Sequence, residues 1–330
     1  MTFYILLALS SFLLTLLGTR VTIITLRQRV RPIDPASIRA GYKKPPLTGG
    51  GVAVVMALII CMLVADIDYS VILAMFLLAA TAMLGELIDI PLPVRLGVQL
   101  LSVMIGMHGV ALPSLGGLLP LWLCKTLIAG AWIWFINLFD LMDGVDGISP
   151  TEMVGIGMGI CLIGAMSGHA FPDPLSTYAL IVGASGCGFL WWNWHPAKIL
   201  LGETGAAPIG FLLGYLLLLA AVSGYPYAAL ILPAYHVSDA TITLIRRMVK
   251  SKTLRGRGDY YYMRGMRAGR QPDAVVRYIF GVNFLLINLA VFSVLDPELA
   301  VVYVGLAYAT VFMILGFFAH TQHDPAYEPF

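Results

Sequence analysis

The sequence predicts an all-α, polytopic integral membrane protein with about eleven transmembrane helices, and three observations carry that prediction. Of 330 residues, 59% are hydrophobic and only 12% are charged, with a mean hydropathy of +0.87. A water-soluble fold needs roughly a quarter of its residues charged to cover its surface. The apolar residues come in runs close to the ~20 that a helix needs to cross hydrocarbon, separated by polar or Gly/Pro punctuation. Fifteen of the twenty Lys and Arg sit in two segments: Arg27 to Lys44, and Arg246 to Arg270.

In chain order the runs are Phe3–Leu26, Gly50–Val64, Val71–Leu87, Val94–Ala111, Leu118–Phe139, Met153–Met166, Leu175–Trp194, Ile209–Val222, Tyr227–Ile245, Val275–Val294 and Leu299–Phe318. The first lacks the basic start of a secretory signal and continues past Arg20, so it is expected to be a retained helix. Basic residues beside span ends stay cytoplasmic, and with eleven spans both basic segments fall on one face. That places the N-terminus outside and the C-terminus in the cytoplasm. Residues 1–330 then form one transmembrane domain, with cytoplasmic loops at about 27–48, 88–93, 140–152, 195–208 and 246–273. Cys61, Cys124, Cys161 and Cys187 lie in apolar runs without CxxC spacing, so neither a disulfide framework nor a zinc site is expected.

In this topology Asp34, Glu86, Asp89, Asp140, Asp143, Asp146, Glu203 and Asp259 reach the cytoplasmic mouth, which is also rich in bases. Acids at the edge of hydrocarbon are costly and tend to be kept for a task. The densest group is Asn137, Asp140, Asp143 and Asp146, whose spacing of three predicts a polar stripe continuing the fifth helix. Uncompensated carboxylates this close call for a cation. Oxygen ligands with retained water and a substrate phosphate are the habit of magnesium, with manganese as its substitute.

Glu86 and Asp89, also three apart, are expected on one face at the end of the third helix, before Pro91 and Pro93. Glu203 follows the seventh span among small residues; it suits either a ligand or the helix macrodipole. Lys198 is placed to meet an acid or a phosphate. The Arg246–Arg270 segment holds Tyr260, Tyr261 and Tyr262; headgroup attraction accounts for it, and so does diphosphate binding with a base stacked on tyrosine. His236 and Asp239 read as a satisfied buried pair.

The order and spacing of these residues resemble the polyprenyl-phosphate N-acetylhexosamine-1-phosphate transferases, a family of eleven-span membrane enzymes. The resemblance runs from Asp34-Pro35, Arg39 and Gly49-Gly50-Gly51, through Arg95-Leu96 with Gln99, to Asn137, Asp143-Gly144-Val145-Asp146-Gly147, Asn193 with Pro196-Ala197-Lys198, and Asp239-Ala240. It implies transfer of a sugar 1-phosphate, an N-acetylhexosamine 1-phosphate in this family, from a UDP-sugar to undecaprenyl phosphate, with release of UMP. The product would start a lipid-linked envelope polysaccharide at the cytoplasmic face of a bacterial inner membrane.

By the same resemblance Glu86, Asp89, Asp143 and Asp146 are the catalytic positions. Asp143, Asp146 and Glu203 would hold the metal, and Arg39, Asn137, Asp140, Asn193, Lys198, Arg257 and Tyr260 would bind substrates. The implied partners are a polyprenyl phosphate lipid, a UDP-sugar and the membrane, with no nucleic acid and with a homodimer allowed.

The chain departs from the family pattern at several positions. Its Asp-Asp-x-x-Asp falls on Gly85, Glu86 and Asp89, and Glu203 stands for a metal-binding aspartate. Asp140 replaces asparagine; Arg257 and Tyr260 take the places of two histidines, and Tyr42 that of a third. Two other functions stay open: a non-catalytic relative that binds a polyprenyl lipid or nucleotide sugar, and a transporter using the acids as an ion path. Against the transporter, the acids crowd one face and no internal repeat is seen.

Overall fold

The structure is a computed structural model that describes residues 2–28, 46–86, 88–111, 120–167, 174–250 and 259–320. Its helices are α1 (Thr2–Gln28), α2 (Gly51–Val64), α3 (Tyr69–Gly85), α4 (Leu92–Met107), α5 (Leu121–Met142), α6 (Ile148–Met166), α7 (Pro174–Asn193), α8 (Glu203–Val222), α9 (Pro226–Ile231), α10 (Ala234–Val249), α11 (Tyr261–Arg267), α12 (Pro272–Leu295) and α13 (Ala300–Ala319). Among the described residues, strand is confined to a parallel two-residue ladder, β1 (Leu47–Thr48) with β2 (Ile199–Leu200). Seven helices are long and apolar enough to cross a membrane, and α2, α3 and α4 are shorter apolar helices. The chain is an all-α polytopic membrane protein.

The bundle has its densest core where α6, α7 and α8 meet, with α1, α3, α5 and α12 packed around them. Outer helices present large apolar side chains outward, among them Ile5 and Leu6 on α1, Phe76 on α3, and Val301 and Met313 on α13. Such continuous apolar surface is stable against lipid and not against water. Because lipid gives no hydrophobic drive between helices, polar contacts serve as interhelical ties. On α1, Ser11 donates to the Ile181 carbonyl at 2.8 Å, and Thr15 meets Ser185 at 2.8 Å. The Trp192 indole donates to the Leu16 carbonyl at 2.8 Å.

Helices fall on the predicted apolar runs, but four local readings are corrected. The polar stripe does not continue the fifth helix. That helix stops at Met142, Asp143 leaves helical geometry, and Gly147, at φ +80°, opens α6 in a left-handed conformation natural to glycine. The sixth span starts at Ile148, so the expected 140–152 loop shrinks to a tight turn.

The third helix ends at Gly85, two residues early, which leaves Glu86 at its C-cap and Asp89 in the exposed link to α4. The eighth span begins at Glu203 and absorbs half of the 195–208 loop. The ninth is interrupted at Leu232-Pro233, where proline has no N–H to continue the ladder, and resumes as α10.

Candidate functional site

The ends of α3, α5 and α7 meet the starts of α2, α4, α6 and α8 at one end of the bundle, joined by the β1–β2 ladder. The ladder continues as hydrogen bonds from Gly50 N to Leu200 O (3.0 Å) and from Gly51 N to Leu201 O (2.8 Å). It delivers the chain into the first turn of α8, where Gly51 and Gly205 touch backbone to backbone.

Around this junction the predicted acids have separate partners. Asp143 accepts from Ser149 Oγ at 2.6 Å and from Gly202 N at 3.1 Å, tying the end of α5 to the start of α8. Asp146, with no side-chain exposure, contacts His195 Nδ1 and accepts from Ala197 N, both at 2.9 Å. Asn193 is buried and spends both ends of its amide: Oδ1 accepts from Gly147 N and Nδ2 donates to Ile199 O, each at 2.8 Å. These three residues brace the loop after α7 against the turn between α5 and α6.

A more open group faces them across the start of α8. Arg95 of α4 lies 3.1 Å from the Glu203 carboxylate, and Thr204 donates to Glu86 at 2.7 Å. Asn137 donates to Gln99 at 2.8 Å and to the Ile133 carbonyl at 2.7 Å, locking α5 to α4. Asp140 is half-buried one turn further on, and Asp89 is exposed. Lys198 is exposed, with its ammonium 4.7 Å from the centre of the Trp192 ring.

The second polar region is basic. Arg246, Arg247, Lys250 and Arg264, with Thr243 and Asp259, line a small cavity of about 30 Å³. Arg247 pairs with Asp259 at 3.2 Å. Arg246 donates to the Tyr261 hydroxyl at 2.8 Å, and both Arg246 and Arg264 flank the Tyr261 ring, at 5.6 and 4.8 Å. Asp239 orients this region from beneath by accepting from Tyr261 N at 2.9 Å and Tyr262 N at 3.3 Å. Burial lowers the Arg267 guanidinium pKa, while Asp259 opposes the shift; a guanidinium starts so high that it stays charged. Four lining cations against one carboxylate, which Arg247 pairs, leave this region net positive, the sign that a phosphate group calls for.

Several sequence readings change here. Asp143, Asp146 and Glu203 do not converge: two are committed to the loop braces and the third to Arg95, and no three His, Cys, Asp or Glu among the described residues group as metal ligands. Tyr260 is fully buried and stacked on Tyr262 at 5.6 Å, so Tyr261 is the tyrosine placed among the arginines. His236 and Asp239 are not each other's partner, since Asp239 serves α11 and His236 faces Glu152. Arg39 and Arg257 lie outside the described residues. Ser149, Thr204, His195 and Glu152 escaped the sequence reading. Thr204 beside Glu203 and Ser149 after the Asp-Gly run were near enough to notice, whereas Glu152 offered no local signal.

Fold and polar residues together define a multi-pass membrane protein that gathers carboxylates and a cluster of cations. Residues 69–221, from α3 to the end of α8, match the model of glycosyl transferase family 4. It is 29% identical over 168 residues to a Bacillus subtilis protein named "Probable undecaprenyl-phosphate N-acetylglucosaminyl 1-phosphate transferase", covering 49% of this chain and 46% of that one. Phospho-N-acetylmuramoyl-pentapeptide-transferase of Desulforapulum autotrophicum is 22% identical over 198 residues, covering 52% of this chain and 54% of the relative. The Streptomyces griseus protein of the same name is 28% identical over 254 residues, covering 60% and 71%. The chain spans about half the length of the first two of these relatives.

Proposed function

We propose that this protein transfers a sugar 1-phosphate, of the N-acetylhexosamine class, from a UDP-sugar to undecaprenyl phosphate at the cytoplasmic face of a bacterial inner membrane. The product would initiate a lipid-linked envelope polysaccharide. The observation that carries this reading is the cationic cradle around Tyr261, in a chain whose residues 69–221 match the model of glycosyl transferase family 4.

In this reading an oxygen of the acceptor phosphate attacks the sugar-bearing phosphorus of the donor. A new P–O–P linkage forms, the bond from the sugar-bearing phosphorus to the bridging oxygen breaks, and UMP leaves with that oxygen. The acceptor phosphate is already ionised, so no general base is required of the side chains. What the chain must supply is positioning and compensation of the donor's charge. Arg246 and Arg264 offer planar donors for a diphosphate, and the Tyr261 ring between them offers an apolar face. Arg95 and Glu203 would orient polar groups of the sugar. Magnesium, or manganese, would be held by carboxylates among Asp143, Asp146 and Glu203 and would supply further compensation of the diphosphate charge.

A second reading, a relative that binds these ligands without turnover, is favoured by the separate commitments of Asp143, Asp146 and Glu203. UMP release from purified protein with undecaprenyl phosphate and a panel of UDP-sugars, with and without magnesium, separates the two. The transferase reading expects release from at least one donor, lost in Asp143→Asn and reduced in Arg264→Ala. No release from any donor, by protein that still binds undecaprenyl phosphate, refutes it in favour of the second reading.

A further inference from the structure

Glu152, His236 and Asn283 form a polar node inside the bundle that the proposed chemistry does not use. Glu152 lies in the second turn of α6, with Oε2 2.9 Å from His236 Nδ1, and each side chain is only 1% exposed. The same oxygen accepts from Asn283 Nδ2 of α12 at 3.0 Å. Among the described residues Glu152 Oε1, His236 Nε2 and Asn283 Oδ1 have no hydrogen-bond partner, and the Nδ1 contact is too poorly aligned to count as one. An acid and an imidazole this deep in an apolar bundle are costly, and each is tolerable chiefly because the other is present.

The neighbours of the node indicate what it holds. The His236 ring stacks on Phe139, with centroids 6.3 Å apart and planes at 21°; Phe139 immediately precedes Asp140 on α5. One turn along α10 from His236, Asp239 accepts the amides that begin α11, and two turns further stands Arg246 of the cradle. Glu152 itself belongs to the helix opened by the Asp143–Gly147 turn. The contact therefore bridges the unit carrying the carboxylates and the unit carrying the cations, which meet nowhere else through a buried acid–base contact among the described residues.

We propose that Glu152 and His236, backed by Asn283, are positioning residues that set the separation between the α5–α6 carboxylates and the α10–α11 cationic cradle. Their consequence for turnover rests on the transferase reading, because a donor held by the cradle must reach the acids; the geometric part does not.

The test measures the distance directly, by pulsed EPR between spin labels at Gly144→Cys and Ala268→Cys, with Cys161 and Cys187 replaced by serine. With glutamate and histidine in place a single narrow distance is expected. Glu152→Gln and His236→Gln should each broaden or shift it, and the double variant should change it no more than either single one. Asn283→Leu, which leaves the Glu152–His236 contact, should shift it less, and it keeps the question answerable if a single variant fails to assemble.

In UMP release the single variants should lower kcat/KM by about 10²-fold, the order expected for a 1 Å misplacement, and the double variant should fall no further. An unchanged distance in all variants overturns the proposal whatever the activity. A wild-type protein that releases no UMP but whose distance moves in Glu152→Gln would refute the transferase reading and leave the positioning role standing.

Discussion

Gly51 begins α2 where that helix crosses the first turn of α8, and a single methyl group there should disturb both fold and site. A Cβ on Gly51 would overlap Cα and N of Gly205 and lie 2.9 Å from the Leu201 carbonyl. These are backbone atoms and cannot rotate aside, so the helices must part by about 1 Å to restore ordinary contact distances. Overpacking of this kind costs roughly 1–3 kcal/mol, here towards the upper end. Lengthening the adjoining Gly51–Leu201 hydrogen bond adds on the order of 0.5–1 kcal/mol.

Gly51→Ala should therefore lower stability by about 3 kcal/mol. Glu203 and Thr204 immediately precede Gly205, so the same displacement carries the contacts to Arg95 and Glu86 with it. Misplacement of that size should reduce kcat/KM about 10²-fold. The assay is thermal denaturation in detergent alongside UMP release. Gly205→Ala should reproduce the effect, since its Cβ would strike the Gly51 Cα, and the double variant should cost less than the sum. Gly51→Ala protein with wild-type thermal midpoint and turnover would refute the close approach and the inference drawn from it.

Two further substitutions separate bracing from chemistry. Asp146→Ala strips a buried acceptor from Ala197 N and His195, so the thermal midpoint should fall by the equivalent of about 1–3 kcal/mol, while Asp146→Asn should recover part of the loss; equal midpoints for all three proteins would contradict the brace. Arg95→Gln removes a partly exposed ion pair worth about 0–1 kcal/mol, so the midpoint should hardly move while UMP release falls with the loss of Glu203's partner; a large drop in midpoint would show that Arg95 is structural instead.

The acids at the mouth were legible because they interrupt apolar runs, and the basic segment because it concentrates charge. Asn137, Glu86, Glu203, Lys198 and the Asp-Gly run were found in this way, and all lie at the same end of the bundle. What spacing could not give was the partner of each. Asp140, Asp143 and Asp146 look equivalent at intervals of three, yet the helix stops between the first and second. The three thus enter a half-buried helix end, a tie to Gly202 and a brace for Ala197. Tyr260, Tyr261 and Tyr262 are consecutive, and only their rotation about α11 and its approach bury the outer two and leave the middle one between arginines.

Composition and the length of the apolar runs determined the solvent, the helical class and the approximate limits of the helices, because lipid requires every backbone group to be satisfied within its own segment. That requirement is local and so can be read along the chain. Tertiary structure alone decided that Asp146 meets His195, 49 positions away, that Glu152 meets His236, and that Gly51 meets Gly205. Those pairings depend on which helices pack together and where each one ends, and both follow from the close fit of many side chains at once, which no periodicity within a single segment encodes.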